Sequence, residues 1–325
     1  MIFCVTFLRA IAACIITNSH YTGIYPTDLF ANGGLFGDII FFAVSGFCLY
    51  NVKKSFVRWY GKRIYRIYVP VILITFGFML FGLIGLQKHN LFWWFIYPTN
   101  YHFIASIVFL YIPYYIFMKI DLFRKNIIKV MLAVAAIWLV VYLVFYDKSY
   151  YHIDSVYEPM IRFLFLESML LGAWFRQNYE SLRNKFKWIF PIMSILSFGF
   201  YFVSKTIFSS YQNLSAFQLI NQILIFIPLF FLFRTFIGLD GKLEKLPATL
   251  KTIITFISNI TLEIYLVQFV LIDAIRPIGH FPVNWFAITA SIILCAWILH
   301  MVCKGVYYLV DVFTAKLKKL CKMGR

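Results

Sequence analysis

An arginine and a histidine in the first apolar stretch have the residue types and spacing best suited to chemistry. Arg9 and His20 are eleven residues apart, so on an α-helix they lie on one face, about 16 Å apart along the axis. If Arg9 sits at one membrane boundary, His20 lies at or beyond the middle of a hydrocarbon core of about 30 Å. Burial there disfavours the charged imidazolium, so we predict that His20 is a neutral proton acceptor. The alternative is a histidine that is hydrogen-bonded at a helix interface.

A second apolar stretch adds a carboxylate and a hydroxyl. Asp38, Phe42, Ser45 and Leu49 follow an i, i+4, i+7, i+11 spacing and share one helix face. If the first two helices form an antiparallel hairpin, Asp38 lies near the level of His20, where it would orient the imidazole and stabilise its protonated form. Ser45 is a candidate oxyanion donor. The alternatives are a helix N-terminal aspartate that interacts with the macrodipole and a Ser-Gly pair that serves helix packing.

Three further sets of polar residues lie in or beside apolar stretches. Arg63 and Arg66 are three residues apart, so on a helix they present two guanidinium groups that suit the phosphates of a nucleotide-like cofactor. The alternative is an ordinary basic cluster on the cytoplasmic side. Glu263 and Tyr265 are predicted to line the path of an acceptor, although packing explains Glu263 equally well. Glu167 is interpreted as a packing group between helices.

The elements that position these groups are predicted to be membrane-spanning helices. Of 325 residues, 62% are hydrophobic and 13% are charged, whereas a soluble domain carries about 25% charged residues. Several apolar runs exceed the roughly 18 residues that indicate a spanning helix. We predict an all-α, polytopic transmembrane bundle that forms a single module over residues 1–325. Its ten spans are placed at residues 5–22, 36–52, 67–86, 103–119, 127–146, 160–176, 188–208, 216–234, 252–272 and 285–310.

The distribution of basic residues favours ten spans with both termini on the cytoplasmic side of the plasma (inner) membrane. In that arrangement 24 of the 30 Lys and Arg residues fall in cytoplasmic segments and 4 in outer connections, as the positive-inside rule requires. The net charge of +17 therefore indicates the anionic lipid bilayer and an anionic cofactor as partners, and not nucleic acid. The six cysteines show no CxxC or Cys/His ligand spacing, so no metal site is expected.

Four segments resemble acyltransferase family 3, a family of integral membrane O-acyltransferases. They are FLRAIA (residues 7–12) with His20, GDIIFFAVSGF (37–47), KRIYRIYVP (62–70) and ITLEIYLVQ (260–268). The family's R-x10-H pair falls on Arg9 and His20, and its R-x-x-R pair on Arg63 and Arg66. Its F-F-x-x-S-G-F motif falls on Phe41, Phe42, Ser45, Gly46 and Phe47. The resemblance thus covers most of the chain in order and spacing.

The resemblance implies a ten-span enzyme that transfers acetyl from cytoplasmic acetyl-CoA to a sugar hydroxyl of a surface or cell-envelope glycan, such as a polysaccharide or lipopolysaccharide. His20 would act as a general base or take the acetyl group itself. Two positions depart from the family pattern. Gln268 stands where the family commonly has histidine, and Asp38 stands where an apolar residue is usual, with the acidic position one later at Ile39. The pairing of Asp38 with His20 is therefore an inference from the residues alone.

Two other functions fit a polytopic, aromatic-rich chain. A carrier or flippase for a glycan or lipid-linked intermediate would use the same cavity without chemistry, but the sequence has no inverted repeat of the kind found in many transporters. A glycan polymerase or ligase would need a large outer loop, and the predicted connections are all short.

Overall fold

Helices make up 79% of the chain in a computed structural model that describes residues 2–85 and 89–323, with side chains described as far as residue 315. No strand occurs in this part of the chain, so the all-α prediction is confirmed. Lys88 and the basic residues from 316 onward, which enter the count of basic residues above, lie outside the described side chains.

Eleven helices of ten or more residues occur within the described ranges. They are α1 (Phe3–Ser19), α2 (Gly34–Leu49), α3 (Phe56–Leu80), α4 (His102–Lys119), α5 (Ile127–Phe145), α6 (Ile161–Gln177), α7 (Ile189–Ser210), α8 (Phe226–Leu243), α9 (Ala248–Asn259), α10 (Thr261–Ile275) and α11 (Val283–Met323). Shorter helices include Leu91–Phe95, Asp121–Lys125, Tyr179–Leu182 and Gln218–Leu224.

Among the described residues, seven helical segments are long and apolar enough to cross a membrane, and the pair α9 and α10 makes an eighth if it is one bent span. The two remaining predicted spans coincide with α1 and α6, which have 17 residues each. Every predicted span therefore overlaps a helix. The number of helices that cross the membrane, and the side on which the termini lie, stay predictions.

Two boundaries differ from the predicted spans in ways that matter for the site. The predicted basic connection at 53–66 is mostly helical, because α3 begins at Phe56 and carries Arg58, Lys62, Arg63 and Arg66 on its first turns. The predicted span at 252–272 is broken at Ile260, where α9 and α10 meet at 67°. There the Thr261 hydroxyl donates to the carbonyls of Ile257 and Ser258, at 3.1 and 2.9 Å, and such side-chain bonds compete with the helical ladder.

The centre of the bundle is the crossing of α2 with α6, and two glycines set its distance. A Cβ on Gly46 would lie 1.9 Å from the carbonyl oxygen of Met169, and a Cβ on Gly172 would lie 1.8 Å from that of Ala43. The helix backbones are therefore in direct contact, as small residues permit in membrane proteins. Above this contact Phe42 stacks on Phe165 with ring centroids 4.2 Å apart. Helix α1 packs against the other side of α2.

Candidate functional site

A cavity of about 330 Å³ lies at the end of α1 and contains the predicted catalytic histidine. His20 caps α1, and its ring packs edge-on against Phe269 at 4.4 Å between centroids. Asp38 and Tyr265, from α2 and α10, line the same cavity. Arg9 lies inside α1 and His20 at its C-terminal end, so the histidine is at the helix terminus and not midway along a span. We call this region the His20 end of the bundle.

Close packing of α1 against α2 brings His20 and Asp38 together. A Cβ on Gly37 would lie 2.7 Å from the Ile16 side chain and 3.2 Å from the carbonyl oxygen of Ala12, so glycine permits the close approach. Asp38 is the fifth residue of α2, whereas the helix macrodipole acts mainly within the first turn. Asp38 therefore does not serve as a helix N-terminal group, and its carboxyl lines the cavity. Among the described residues, the His20 and Asp38 side chains make no direct hydrogen bond.

The loop between α5 and α6 forms the roof of the cavity, which it lines with Asp154, Val156 and Tyr157. The roof is held from below by three buried amides on the short helix Gln218–Leu224. Gln218 Oε1 accepts the backbone N–H groups of His152 and Ile153 at 2.9 Å, and Gln222 donates to the carbonyl of Ile153 at 2.7 Å. The third is Asn221, which donates to the Tyr151 hydroxyl.

Charged groups complete the attachment of the roof. Asp154 accepts a hydrogen bond from the Tyr151 hydroxyl at 2.7 Å and pairs with Lys205 of α7 at 2.8 Å. Burial, and then the Asp154 carboxylate, raise the pKa of the Tyr151 phenol well above its usual value, so Tyr151 remains a donor to Asp154. The roof is thus fixed, and Asp154 presents a negative charge at the cavity wall.

The sequence interpretation missed a second imidazole in this cavity. His102 begins α4, lines the cavity and contacts Tyr157 edge-on at 4.1 Å. The predicted spans 67–86 and 103–119 leave His102 in the connection between them, so its approach to His20 depends on folding. Asn100 and Ser106 also line the wall. Two features of the sequence could have indicated these residues. His102 stands at the start of an apolar run, and the amides Gln218, Asn221 and Gln222 have i, i+3, i+4 spacing within a later apolar run.

Arg9 lines a separate cavity of about 230 Å³ at the opposite end of α1, which we call the Arg63 end. Arg9 donates to the sulfur of Cys48 at 3.7 Å. Arg176 from α6 lines the same cavity and lies over the ring of Phe47 at 5.5 Å. The pairing of Arg9 with Arg176 was not predicted, because the two residues are 167 positions apart in sequence.

Arg63 and Arg66 both lie on α3, as the prediction required, but in different environments. The Arg63 guanidinium stacks 3.8 Å above the Trp59 ring and donates to the Trp59 carbonyl at 2.7 Å. Arg66 is exposed. Both Arg9 and Arg63 lie near the buried Tyr111 of α4, so Arg63 is at the same end of the bundle as Arg9, although neither Arg63 nor Arg66 lines the cavity of Arg9 and Arg176. Arg63 is held in place, whereas Arg66 is free to reach toward an anion.

The structure does not bring two of the predicted residues to the His20 cavity. Ser45 lies seven residues beyond Asp38 on α2 and lines neither of the cavities described above, about 10 Å away along the axis. Glu263 is 6% exposed and accepts from, or donates to, His300 Nδ1 of α11 at 2.8 Å. Glu263 therefore joins α10 to α11, and only Tyr265 of that pair lines the cavity. Its hydroxyl accepts the backbone N–H of Phe103 at 3.4 Å.

Between the two cavities, one face of α1 carries Arg9, Ala13, Ile16 and His20. A small separate cavity of about 10 Å³ is lined by Ala13 and Ile16 of this face. That volume holds roughly one water molecule. Gln268 lines it with its Oε1 accepting from the Thr17 hydroxyl at 2.8 Å. Its Nε2 is buried and has no partner among the described residues.

These groups can perform proton-transfer chemistry on a polar ligand. Imidazoles, carboxylates and phenols converge on the His20 cavity, whose volume is near the lower end of the range for small-molecule sites, about 300 to 1,000 Å³. The Arg63 end offers guanidinium groups suited to phosphates. A comparison with protein families matches residues 2–301 to the model of acyltransferase family 3, described as an acyltransferase domain. Comparisons with curated proteins and with solved structures found no match.

Proposed function

The chain belongs to acyltransferase family 3 and is a multi-pass membrane acyltransferase, and from this premise we propose that it is an O-acetyltransferase that uses acetyl-CoA to acetylate a cell-envelope glycan. The observation that carries the proposal is the shared cavity of His20 and Asp38, with an arginine-rich cavity at the other end of the same helix. Acyl transfer from a phosphate-bearing donor requires a base near the acceptor and an anion site for the phosphates of the donor. The two cavities at the ends of α1 supply these groups.

The His20 cavity supplies the groups for acyl transfer to a hydroxyl. His20 accepts the proton of the acceptor hydroxyl as its oxygen attacks the thioester carbonyl carbon. The C–O bond forms, the C–S bond breaks, and the thiolate leaves with the proton from the imidazolium. Asp38 stabilises the imidazolium across the cavity. In place of Ser45, the Tyr265 hydroxyl supplies an oxyanion donor, because its oxygen accepts from Phe103 and its proton remains available.

A sugar suits the walls of this cavity as acceptor. Side chains that donate and accept hydrogen bonds, among them Asn100, His102 and Asp154, alternate with the rings of Phe103 and Phe269. Sugar hydroxyls match the former, and the apolar faces of the sugar ring match the latter. A glycan acceptor therefore accounts for both kinds of lining.

Donor binding is proposed for the Arg63 end. Arg66 and Arg176 would bind phosphates of the cofactor, with Arg63 held ready against Trp59. The arm that carries the thioester would then follow the α1 face through the narrow segment at Ala13 and Ile16. This step requires the segment to widen by side-chain movement, since its volume of about 10 Å³ is far below that of an acetyl group.

The first test replaces His20 by Ala in the full-length protein. Labelled acetyl on envelope glycan, together with release of free CoA from membranes, should fall by about 100-fold or more, as expected for loss of a general base. His280→Ala is the matched control, because His280 is exposed on the connection before α11, and it should leave the rate unchanged. Retained acetylation in the His20 variant would remove the base from the mechanism. A wild-type protein that moves glycan without releasing CoA would favour the carrier function instead.

The second test concerns the donor site. Arg63→Ala combined with Arg66→Ala should raise the KM for acetyl-CoA by about tenfold or more, the cost of losing one charge-assisted hydrogen bond. Arg58→Ala is the control from the same basic cluster, since Arg58 is exposed one turn before Arg63. A change in acceptor KM with unchanged donor KM would contradict the phosphate role.

A further inference from the structure

The acidic and basic side chains around the His20 cavity are unevenly distributed. Two carboxylates line it, those of Asp38 on α2 and Asp154 in the loop between α5 and α6. Among the described residues, no lysine or arginine lines the cavity, and Asp38 makes no ion pair. The other polar side chains of the wall are hydroxyls, an amide and two imidazoles. The cavity wall therefore offers no countercharge to an anionic ligand.

Asp154 is held in a fixed position by groups on neighbouring elements. Its Oδ2 accepts from the Tyr151 hydroxyl at 2.7 Å and pairs with Lys205 of α7 at 2.8 Å. Its Oδ1 accepts from the Gln222 side chain at 3.3 Å. Gln222 also donates to the carbonyl of Ile153, the residue before Asp154, at 2.7 Å. The carboxylate is therefore a preorganised part of the wall, and a ligand does not have to order it on binding.

The same carboxylate keeps the capacity to accept one more hydrogen bond. A carboxylate accepts about four hydrogen bonds, and the Asp154 side chain has three partners in the part of the chain that the structure describes. The side chain is 11% exposed and lines the cavity, so a ligand can reach it. A sugar hydroxyl in the cavity can donate to Asp154, whereas a ligand carboxylate cannot, because it only accepts.

We propose that Asp154 selects an uncharged sugar as the acceptor, because it accepts a hydrogen bond from a sugar hydroxyl and repels the carboxylate of an acidic sugar. This inference rests on the proposed acetyl transfer to a glycan and adds the charge of the acceptor sugar. Lys205 does not compensate a ligand carboxylate, since it pairs with Asp154 from α7 and does not line the cavity. In the low dielectric of a protein, the repulsion should weaken binding of an acidic sugar by at least about tenfold.

The first measurement identifies the sugar that is acetylated. Full-length protein in phosphatidylcholine nanodiscs receives labelled acetyl-CoA and envelope oligosaccharides from cells that lack the protein, and tandem mass spectrometry locates the acetyl group. We expect it on a neutral sugar. An acetyl group on a uronic acid or another acidic sugar would overturn this inference and leave the proposed acetyl transfer intact. If no glycan is labelled, the proposed transfer is wrong, and this inference fails with it.

The second measurement tests Asp154 itself. The methyl glycoside of the identified sugar and that of the corresponding uronic acid each compete with the oligosaccharide for acetylation. In the wild-type protein the neutral glycoside should inhibit at least about tenfold more strongly. Asp154→Asn keeps the size of the side chain and removes its charge, so it should raise the KM for the oligosaccharide by about tenfold and leave the KM for acetyl-CoA unchanged. The preference for the neutral glycoside should be lost, because Lys205 is then unpaired.

Two further variants separate recognition of the sugar from support of the loop. Lys205→Met removes the ion pair and keeps the carboxylate, so the preference for the neutral glycoside should be retained or increased, whereas a purely structural role of the pair predicts the same change as in Asp154→Asn. Asp147→Asn is the matched control, because Asp147 is exposed in the same loop and does not line the cavity; both inhibition constants should stay within about twofold.

Size exclusion and thermal unfolding establish that each variant is folded. If Asp154→Asn does not fold, the wild-type preference and its change in Lys205→Met decide the question. Equal inhibition by the two glycosides in the wild-type protein would overturn the proposal. So would an unchanged preference in a folded Asp154→Asn variant, or loss of the preference in Lys205→Met.

Discussion

The crossing of α2 and α6 allows a sharp prediction, because both glycines at the contact face backbone atoms. Replacing Gly172 by Ala would place a Cβ 1.8 Å from the carbonyl oxygen of Ala43 and 2.6 Å from its carbon. Ordinary contacts of a Cβ begin at 3.4 Å. No rotamer relieves a clash with a main-chain atom, so the two helices must separate by roughly 1.6 Å, the difference between these distances.

The cost of this separation has two parts. Overpacking of a close-packed interior costs about 1 to 3 kcal/mol. Moving α6 also loosens the stack of Phe42 on Phe165, whose centroids are 4.2 Å apart, and such an aromatic pair contributes about 0.5 to 1.5 kcal/mol beyond its buried area. The two parts sum to about 1.5 to 4.5 kcal/mol, and the better helix propensity of Ala offsets up to about 1 kcal/mol, so Gly172→Ala should lower the free energy of unfolding by about 0.5 to 3.5 kcal/mol.

The assay is denaturant unfolding of the purified protein in one fixed detergent, followed by tryptophan fluorescence. Gly61→Ala in α3 is the control, because a Cβ there meets nothing within 4 Å. Since Ala is favoured over Gly inside a helix, this change should leave the free energy of unfolding unchanged or raise it by up to about 1 kcal/mol. If Gly172→Ala unfolds at the same denaturant concentration as Gly61→Ala, the inferred backbone contact is wrong.

Three other outcomes follow from the packing. Asp240 is fully buried and accepts hydrogen bonds from the Cys4 backbone N–H and the Tyr179 hydroxyl, so Asp240→Ala leaves two buried donors without a partner and should cost about 2 to 6 kcal/mol in the same unfolding assay; a loss below about 1 kcal/mol would contradict this role. Thr17→Val removes the hydroxyl that donates to Gln268 and should lower the free energy of unfolding by about 1 to 3 kcal/mol. An unchanged denaturation midpoint would mean that a water molecule replaces this hydroxyl. Ala13→Phe fills the narrow segment of α1 and should abolish acetyl transfer without raising the KM for acetyl-CoA, whereas normal turnover would place the donor path elsewhere.

The two ends of α1 divide the proposed reaction into recognition and chemistry. Arg9 and His20 are both on this helix, but the residues that complete each site come from elsewhere: Arg176 from α6 at one end, Asp38 and His102 from α2 and α4 at the other. A spacing of about 16 Å prevents one arginine from serving both the phosphates and the reacting carbonyl. The oxyanion donor must therefore come from the wall of the His20 cavity.

The sequence by itself was sufficient for properties that depend on local patterns. Apolar runs predicted the helices, and the eleven-residue spacing placed Arg9 and His20 on one face of α1. The three-residue spacing placed Arg63 and Arg66 on α3. The motifs around these residues predicted the family, which the match over residues 2–301 confirms. Hydropathy and helical periodicity act over a few turns, so they can be read without knowledge of the fold.

Which of these residues meet was decided by tertiary structure alone. Gly37 lets α1 approach α2, and the packing of α10 places Tyr265 in the wall of the cavity while Glu263 faces His300 of α11. Ser45 shares a helix face with Asp38 yet lies two turns away from the cavity. Such contacts depend on how helices far apart in sequence cross, and a crossing is set by the shapes of both surfaces. Glu167 illustrates the same point, because the apolar cavity that it lines is formed by α5, α6, α8 and the short helix Gln218–Leu224, which are distant in sequence.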